Sequence, residues 1–147
     1  MSLKEILNND IKAAMKAKDK ETLAVLRMIK TAVQAAEIDK KEELNAEEEL
    51  TILAREAKQR RESLAEFVKA GRDELVAKTE AEIEIVERYL PKQLSVEEVK
   101  EVIATVAEKI GATTQKEFGK LMGAVMQELK GKADGNVIKE QVKAHLG

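Results

Sequence analysis

One proline interrupts a chain that otherwise carries helical apolar spacing from end to end. Pro91 lies in the stretch YLPKQLS, residues 89–95. Proline lacks the amide hydrogen a helix interior needs and drives the preceding residue toward extended geometry, so a helix arriving from the N-terminal side must stop at about Tyr89. Ser95 with Glu98 then has capping-box spacing, which starts a new helix. A stop followed four residues later by a start predicts a domain boundary: residues 1–90 form one unit, 91–94 a short linker and 95–147 a second unit.

On the N-terminal side the spacing predicts four helices. Ser2 and Glu5 open the first, with Leu3, Ile6, Leu7, Ile11, Ala14 and Met15 on one stripe, ending near Lys16. Asp19 caps the second, which carries Leu23, Leu26, Ile29, Val33 and Ala36 and fades near Ile38. Asn45 with Glu48 opens the longest, lined by Leu50, Leu53, Ala57, Leu64 and Phe67, and Gly71 supplies its left-handed stop. The fourth returns at once with Leu75, Val76, Ile83, Val86 and Leu90, so the third and fourth form an antiparallel hairpin. Beyond Pro91 come three shorter helices: one lined by Val96, Val99, Ile103, Val106 and Ile110 and closed by Gly111; one capped by Thr114 and Glu117 and lined by Phe118, Leu121, Met122, Val125 and Leu129; and one starting near Asp134 or Asn136 with Ile138, Val142 and Leu146. The fold class expected is all-α: a four-helix N-terminal domain with a long helical hairpin, then a three-helix bundle.

Composition excludes several functions. With no cysteine there is no disulfide, thiol nucleophile or thiolate metal site. Together with a polar start that lacks a signal-like apolar run, this sets a cytoplasmic expectation. The net charge of −2 argues against a general nucleic-acid binder, whose affinity comes from excess Lys and Arg. The charge is uneven, however. Residues 1–90 hold 17 Lys and Arg against 20 Asp and Glu, whereas residues 109–143 hold 7 against 4. An anion-binding surface belongs in the second unit.

Enzyme chemistry finds little support. The single histidine, His145, lies two residues from the C-terminus, and Glu80, Glu82, Glu84 and Glu87 read as a solvated helix face. There is no phosphate loop, dinucleotide turn or serine elbow. Neither a cofactor nor a metal is expected.

Two stretches carry more. In KEFGKLMGAVMQELKGKADG, Gly119 and Gly123 lie inside a helix at i, i+4, where each costs about 1 kcal/mol relative to alanine. Either another helix packs tightly there, or the bare backbone meets an RNA sugar-phosphate chain while Lys116, Lys120, Lys130 and Lys132 neutralise phosphates. In REAKQRRESL, Arg60 falls on the apolar stripe and should be covered and paired with a glutamate of the fourth helix. Arg55, Lys58 and Arg61 point elsewhere and could extend an RNA contact, although most charge runs on helices are merely solvated.

The stretches ESLAEFVKAGRDELVAKTEAEIEIVERYLPKQLSVEEV and EFGKLMGAVMQELKGKADGNVIKEQVKAHL resemble the GatB/YqeY family, specifically its free-standing YqeY-like members. The resemblance implies a helical N-terminal domain and a three-helix tail. A similar tail ends the B subunit of the glutamine-dependent amidotransferase, a carbon-nitrogen ligase that amidates mischarged Glu-tRNA or Asp-tRNA, and there it helps engage the tRNA. The partner this implies is tRNA, with amide chemistry supplied by other subunits. The alternative is a helical adaptor that docks on a protein of the translation or amidotransferase machinery without touching RNA.

Overall fold

The computed structural model describes residues 1–147, and all of its regular structure is helical. Seven α-helices follow one another: α1 Leu3–Ala17, α2 Lys20–Lys40, α3 Ala46–Lys69, α4 Asp73–Glu87, α5 Val96–Ile110, α6 Phe118–Leu129 and α7 Gly135–Leu146, with a 3-10 turn at Gln115–Glu117 before α6. The chain divides into two compact units, Met1–Leu90 and Pro91–Gly147.

In the first unit α1, α2, α3 and α4 enclose Leu7, Leu26, Ile29, Val33, Leu53, Ala57 and Val86. Local chemistry sets the ends. Asn45 and Glu48 exchange side-chain and backbone hydrogen bonds in a capping box at α3. Gly71, with φ +66, lets the amide of Arg72 reach back to the Phe67 carbonyl and close that helix. At α1 the Glu49 carboxylate accepts a hydrogen bond of 2.9 Å from the Leu3 amide, tying the α1 start to the first turn of α3.

The apolar stripes shift in several places, Val25 of α2 among them. Ile52 and Ile85 are buried although the spacing did not select them, while Met15 stands 53% exposed. The last buried residue of α3 is Arg60 and the first of α4 is Thr79. Beyond them Leu64, Phe67, Leu75 and Val76 are only partly covered, because at that end two helices do the work that four do nearer the core.

The regular part of α4 stops at Glu87. The amides of Arg88, Tyr89 and Leu90 then donate to carbonyls three residues back, a tightened last turn that ends at Pro91. Residues 91–94 fall in the second unit and are held there. The Gln93 side-chain amide donates to the carbonyls of Pro91 at 2.9 Å and Gly131 at 2.7 Å, and the Leu94 amide donates to the Lys132 carbonyl at 2.8 Å.

The second unit packs α5, α6 and α7 around Val99, Ile103, Leu121, Val125, Leu129, Ile138 and Val142. Ser95 and Glu98 form the capping box of α5, and Gly111, with φ +70, closes it. Val96 is 43% exposed, since it stands at the first position of the helix and off the buried stripe. The expected cap of α6 takes another form. Thr114 makes no side-chain cap; the Glu117 carboxylate instead reaches back to the Thr113 amide at 2.6 Å and the Thr114 hydroxyl at 3.3 Å, and a 3-10 turn leads into the helix.

Candidate nucleic-acid interface

The α6 helix buries Leu121, Val125 and Leu129 and turns its other side to solvent. Gly119 and Gly123 lie on that outer side, both exposed, and a Cβ added to either would meet no atom within 4 Å. Packing within this chain therefore does not account for them. Gln127, one turn further and also exposed, extends the same face; its i, i+4 spacing from Gly123 was the available signal. Lys116, in the 3-10 turn, and Lys120, three residues before Gly123, are exposed beside the bare backbone. Lys132 is exposed while its own amide and carbonyl are fixed to Leu129 and Leu94; Lys130, at the end of α6, is partly buried.

The basic residues of α3 divide differently. Arg60 is buried, with a guanidinium nitrogen 3.1 Å from both the carboxylate and the carbonyl of Glu56, its Nε 3.6 Å from Glu82, and a further N–H toward the sulfur of Met28. Arg61 bonds Glu87 at 3.0 Å, so its charge is answered by α4 and it is a poor phosphate ligand. Two expectations change: Arg61, expected off the stripe and open to an RNA contact, is paired with Glu87, and Glu82 and Glu87 are ion-pair partners rather than part of a solvated face, Glu82 being the fourth-helix glutamate expected beside Arg60. Arg55 and Lys58 are exposed, Arg55 at the rim of a cleft of about 430 Å³ that also holds Asp39, Lys40 and Glu48. Arg55, Lys58 and Arg61 belong to the first unit and the six lysine and glycine positions named on α6 and its flanks to the second.

Sequence reasoning passed over one feature of the first unit. A cleft of about 640 Å³ opens beside α1, lined by Leu3, Ala14, Leu26, Asp10, Arg88 and Tyr89 among others. The Tyr89 hydroxyl donates to the Asp10 carboxylate, and burial, reinforced by that bond, pushes the phenol pKa upward. The two residues are far apart in the chain, so no spacing rule links them. No group of three or more His, Asp and Glu side chains is placed to hold a metal ion.

A family model described as Yqey-like protein matches residues 4–146. The chain belongs to the YqeY-like family. Among curated members of related sequence, the mitochondrial protein 41 of altered inheritance of mitochondria from Kluyveromyces lactis is 32% identical over 139 residues, covering 94% of this chain and 72% of the relative. Its namesake from Pyrenophora tritici-repentis is 26% identical over 144 residues, covering 96% and 79%. That of Saccharomyces cerevisiae strain YJM789 is 34% identical over 86 residues, covering 58% and 46%. These YqeY-like relatives are named as mitochondrial, which overturns the cytoplasmic expectation: absence of cysteine and a polar first segment do not distinguish one reducing compartment from another.

Proposed function

We propose that this YqeY-like chain is a noncatalytic, tRNA-associated module that lays the outer face of α6 against the RNA sugar-phosphate backbone. The observation that carries this reading is the pair Gly119 and Gly123. Gly123 lies in the interior of α6, where glycine costs about 1 kcal/mol relative to alanine, Gly119 stands in its first turn, and no neighbour in the chain uses the room they leave. A bare helix face flanked by Lys116, Lys120 and Lys132 allows phosphates to approach the backbone closely while the ammonium groups answer their charge. Recognition would be by shape and phosphate. The chain has one tyrosine and two phenylalanines, too few aromatic rings for stacking single-stranded bases. Resemblance to the amidotransferase tail makes tRNA the substrate class, and any amide transfer would be performed by a partner.

A second reading, an adaptor for a protein of the same machinery, is favoured by the far end of the α3–α4 hairpin, where Val68 is 60% exposed and Phe67 and Leu75 are only half covered. Salt dependence separates the two. The test is a mobility-shift titration of the full chain with total tRNA at low and moderate salt, beside a Lys116→Glu/Lys120→Glu/Lys132→Glu variant. RNA binding gives saturable affinity that falls steeply with salt and is lost in the variant with helicity intact. No binding at low salt would refute the RNA reading and leave the adaptor.

A further inference from the structure

Arg60 is only 7% exposed, and a buried guanidinium requires acceptors for its N–H groups. One terminal nitrogen is well supplied, with the carboxylate and the carbonyl of Glu56 both at 3.1 Å. Nε has no hydrogen-bond acceptor, although the Glu82 carboxylate lies 3.6 Å away. The other terminal nitrogen donates to the thioether sulfur of Met28 on α2, at 3.6 Å, and a thioether is a weak acceptor. A buried cation therefore reaches α2 through a poor partner. Met28 itself is 55% exposed, so solvent meets the side chain whose sulfur Arg60 touches. The other four methionines differ. Met1 and Met15 are exposed with no hydrogen bond to sulfur, and Met122 and Met126 are partly buried against the core of the second unit. Met28 alone combines access with a cation at its sulfur.

We propose that Met28 is a site of reversible oxidation by peroxide, and that the Arg60 guanidinium receives the sulfoxide oxygen, tightening the tie between α2 and the α3–α4 hairpin. A sulfur lone pair attacks one oxygen of hydrogen peroxide. The S–O bond forms as the O–O bond breaks, and the proton left on the transferred oxygen passes to the departing hydroxide to give water. Sulfur is oxidised by two electrons and the peroxide is reduced by two. The product replaces a weak acceptor with a strongly dipolar oxygen, which rotation about the last side-chain bond can bring to the N–H groups of Arg60. Oxidation disrupts methionines packed in a core, but this side chain already stands half in solvent and gives up little packing. Two thiols of a reductase, which become a disulfide as the oxygen leaves in water, restore the thioether.

The test treats wild type and Met28→Leu with dilute hydrogen peroxide until peptide mass spectrometry shows Met15 converted to its sulfoxide. Both are then unfolded in urea and followed at Tyr89, the only tyrosine, which reports on the first unit. Met28 should be converted along with Met15 and ahead of Met122 and Met126. The wild-type midpoint should rise by about 0.3 M on oxidation and return after treatment with methionine sulfoxide reductase. Met28→Leu, which keeps every other methionine, should show no rise. Met28→Gln, which carries a carbonyl oxygen at similar reach, should exceed Met28→Leu by a similar shift, and that advantage should vanish when Arg60→Met is added to both. A Met28 that stays reduced while Met15 is converted would overturn the site. A midpoint that falls or stays unchanged on oxidation, or a glutamine advantage that survives Arg60→Met, would overturn the part given to Arg60.

Discussion

Tyr89 donates its hydroxyl hydrogen to Asp10, 79 residues earlier in the chain, and so ties the turn before Pro91 back onto α1. The sole proline thus ends a helix whose last turn is held by a long-range bond. Removing the hydroxyl in Tyr89→Phe should lower stability by about 1–2 kcal/mol, a charged-acceptor hydrogen bond at a half-buried site. Urea unfolding measures it; an unchanged midpoint would mean that the bond contributes nothing.

The same residue sets an alkaline limit. Burial and the Asp10 bond raise the folded-state pKa of Tyr89, so the folded protein holds the phenol proton more tightly than the unfolded chain. That stability is fully present below about pH 10, the unfolded value, and drains away as pH rises from there toward the folded value. Because Tyr89 is the only tyrosine and tryptophan is absent, an absorbance titration reads this group alone. Its midpoint should lie well above that of free tyrosine, and Tyr89→Phe should flatten the alkaline fall in melting temperature.

At the acid end the sign reverses. Asp19, Glu48 and Glu98 have lowered pKa values: Asp19 and Glu98 mainly through their hydrogen bonds with Thr22 and Ser95 at helix starts, Glu48 mainly through Lys40 and then the Asn45 amide. Their contribution is present above about pH 5 and lost as pH falls through their folded values. The acid slope of stability should shrink in Glu48→Gln and Glu98→Gln, as melts across that range would show.

Arg60 is a buried cation of the hairpin, and its truncation removes a charge as well as volume. Arg60→Ala leaves Glu56 and Glu82 facing a buried gap without their cation and should cost about 3 kcal/mol. Arg60→Met, which fills the volume, should cost clearly less if the packing of the stem against Met28 matters. Equal losses in urea unfolding would assign the whole effect to charge.

Much of this was legible in the residues. Capping boxes at Asn45 and Ser95, the left-handed stops at Gly71 and Gly111 and the break at Pro91 each act within a few positions, so local pattern suffices to place them. Burial is less local. Met15 fits the α1 stripe by spacing yet faces solvent, and Ile85 falls beside the chosen stripe yet is buried, because neighbouring helices decide which part of a face is covered. The Arg60 position on the apolar stripe foretold its burial, but the pairing of Arg61 with Glu87 depends on the rotation of α4 against α3. For the glycine face, sequence could pose the choice between packing and open surface; the surroundings of Gly119 and Gly123 required the fold.

The most direct test of the RNA reading keeps every charge in place. In Gly119→Ala/Gly123→Ala the added methyl groups meet open space, so the protein should gain about 1 kcal/mol or more in urea unfolding from better helix propensity. If the bare face of α6 receives the RNA backbone, the same variant should bind tRNA at least tenfold more weakly at low salt than the wild type. A more stable protein that binds tRNA as well as the wild type would contradict that role for the glycine face.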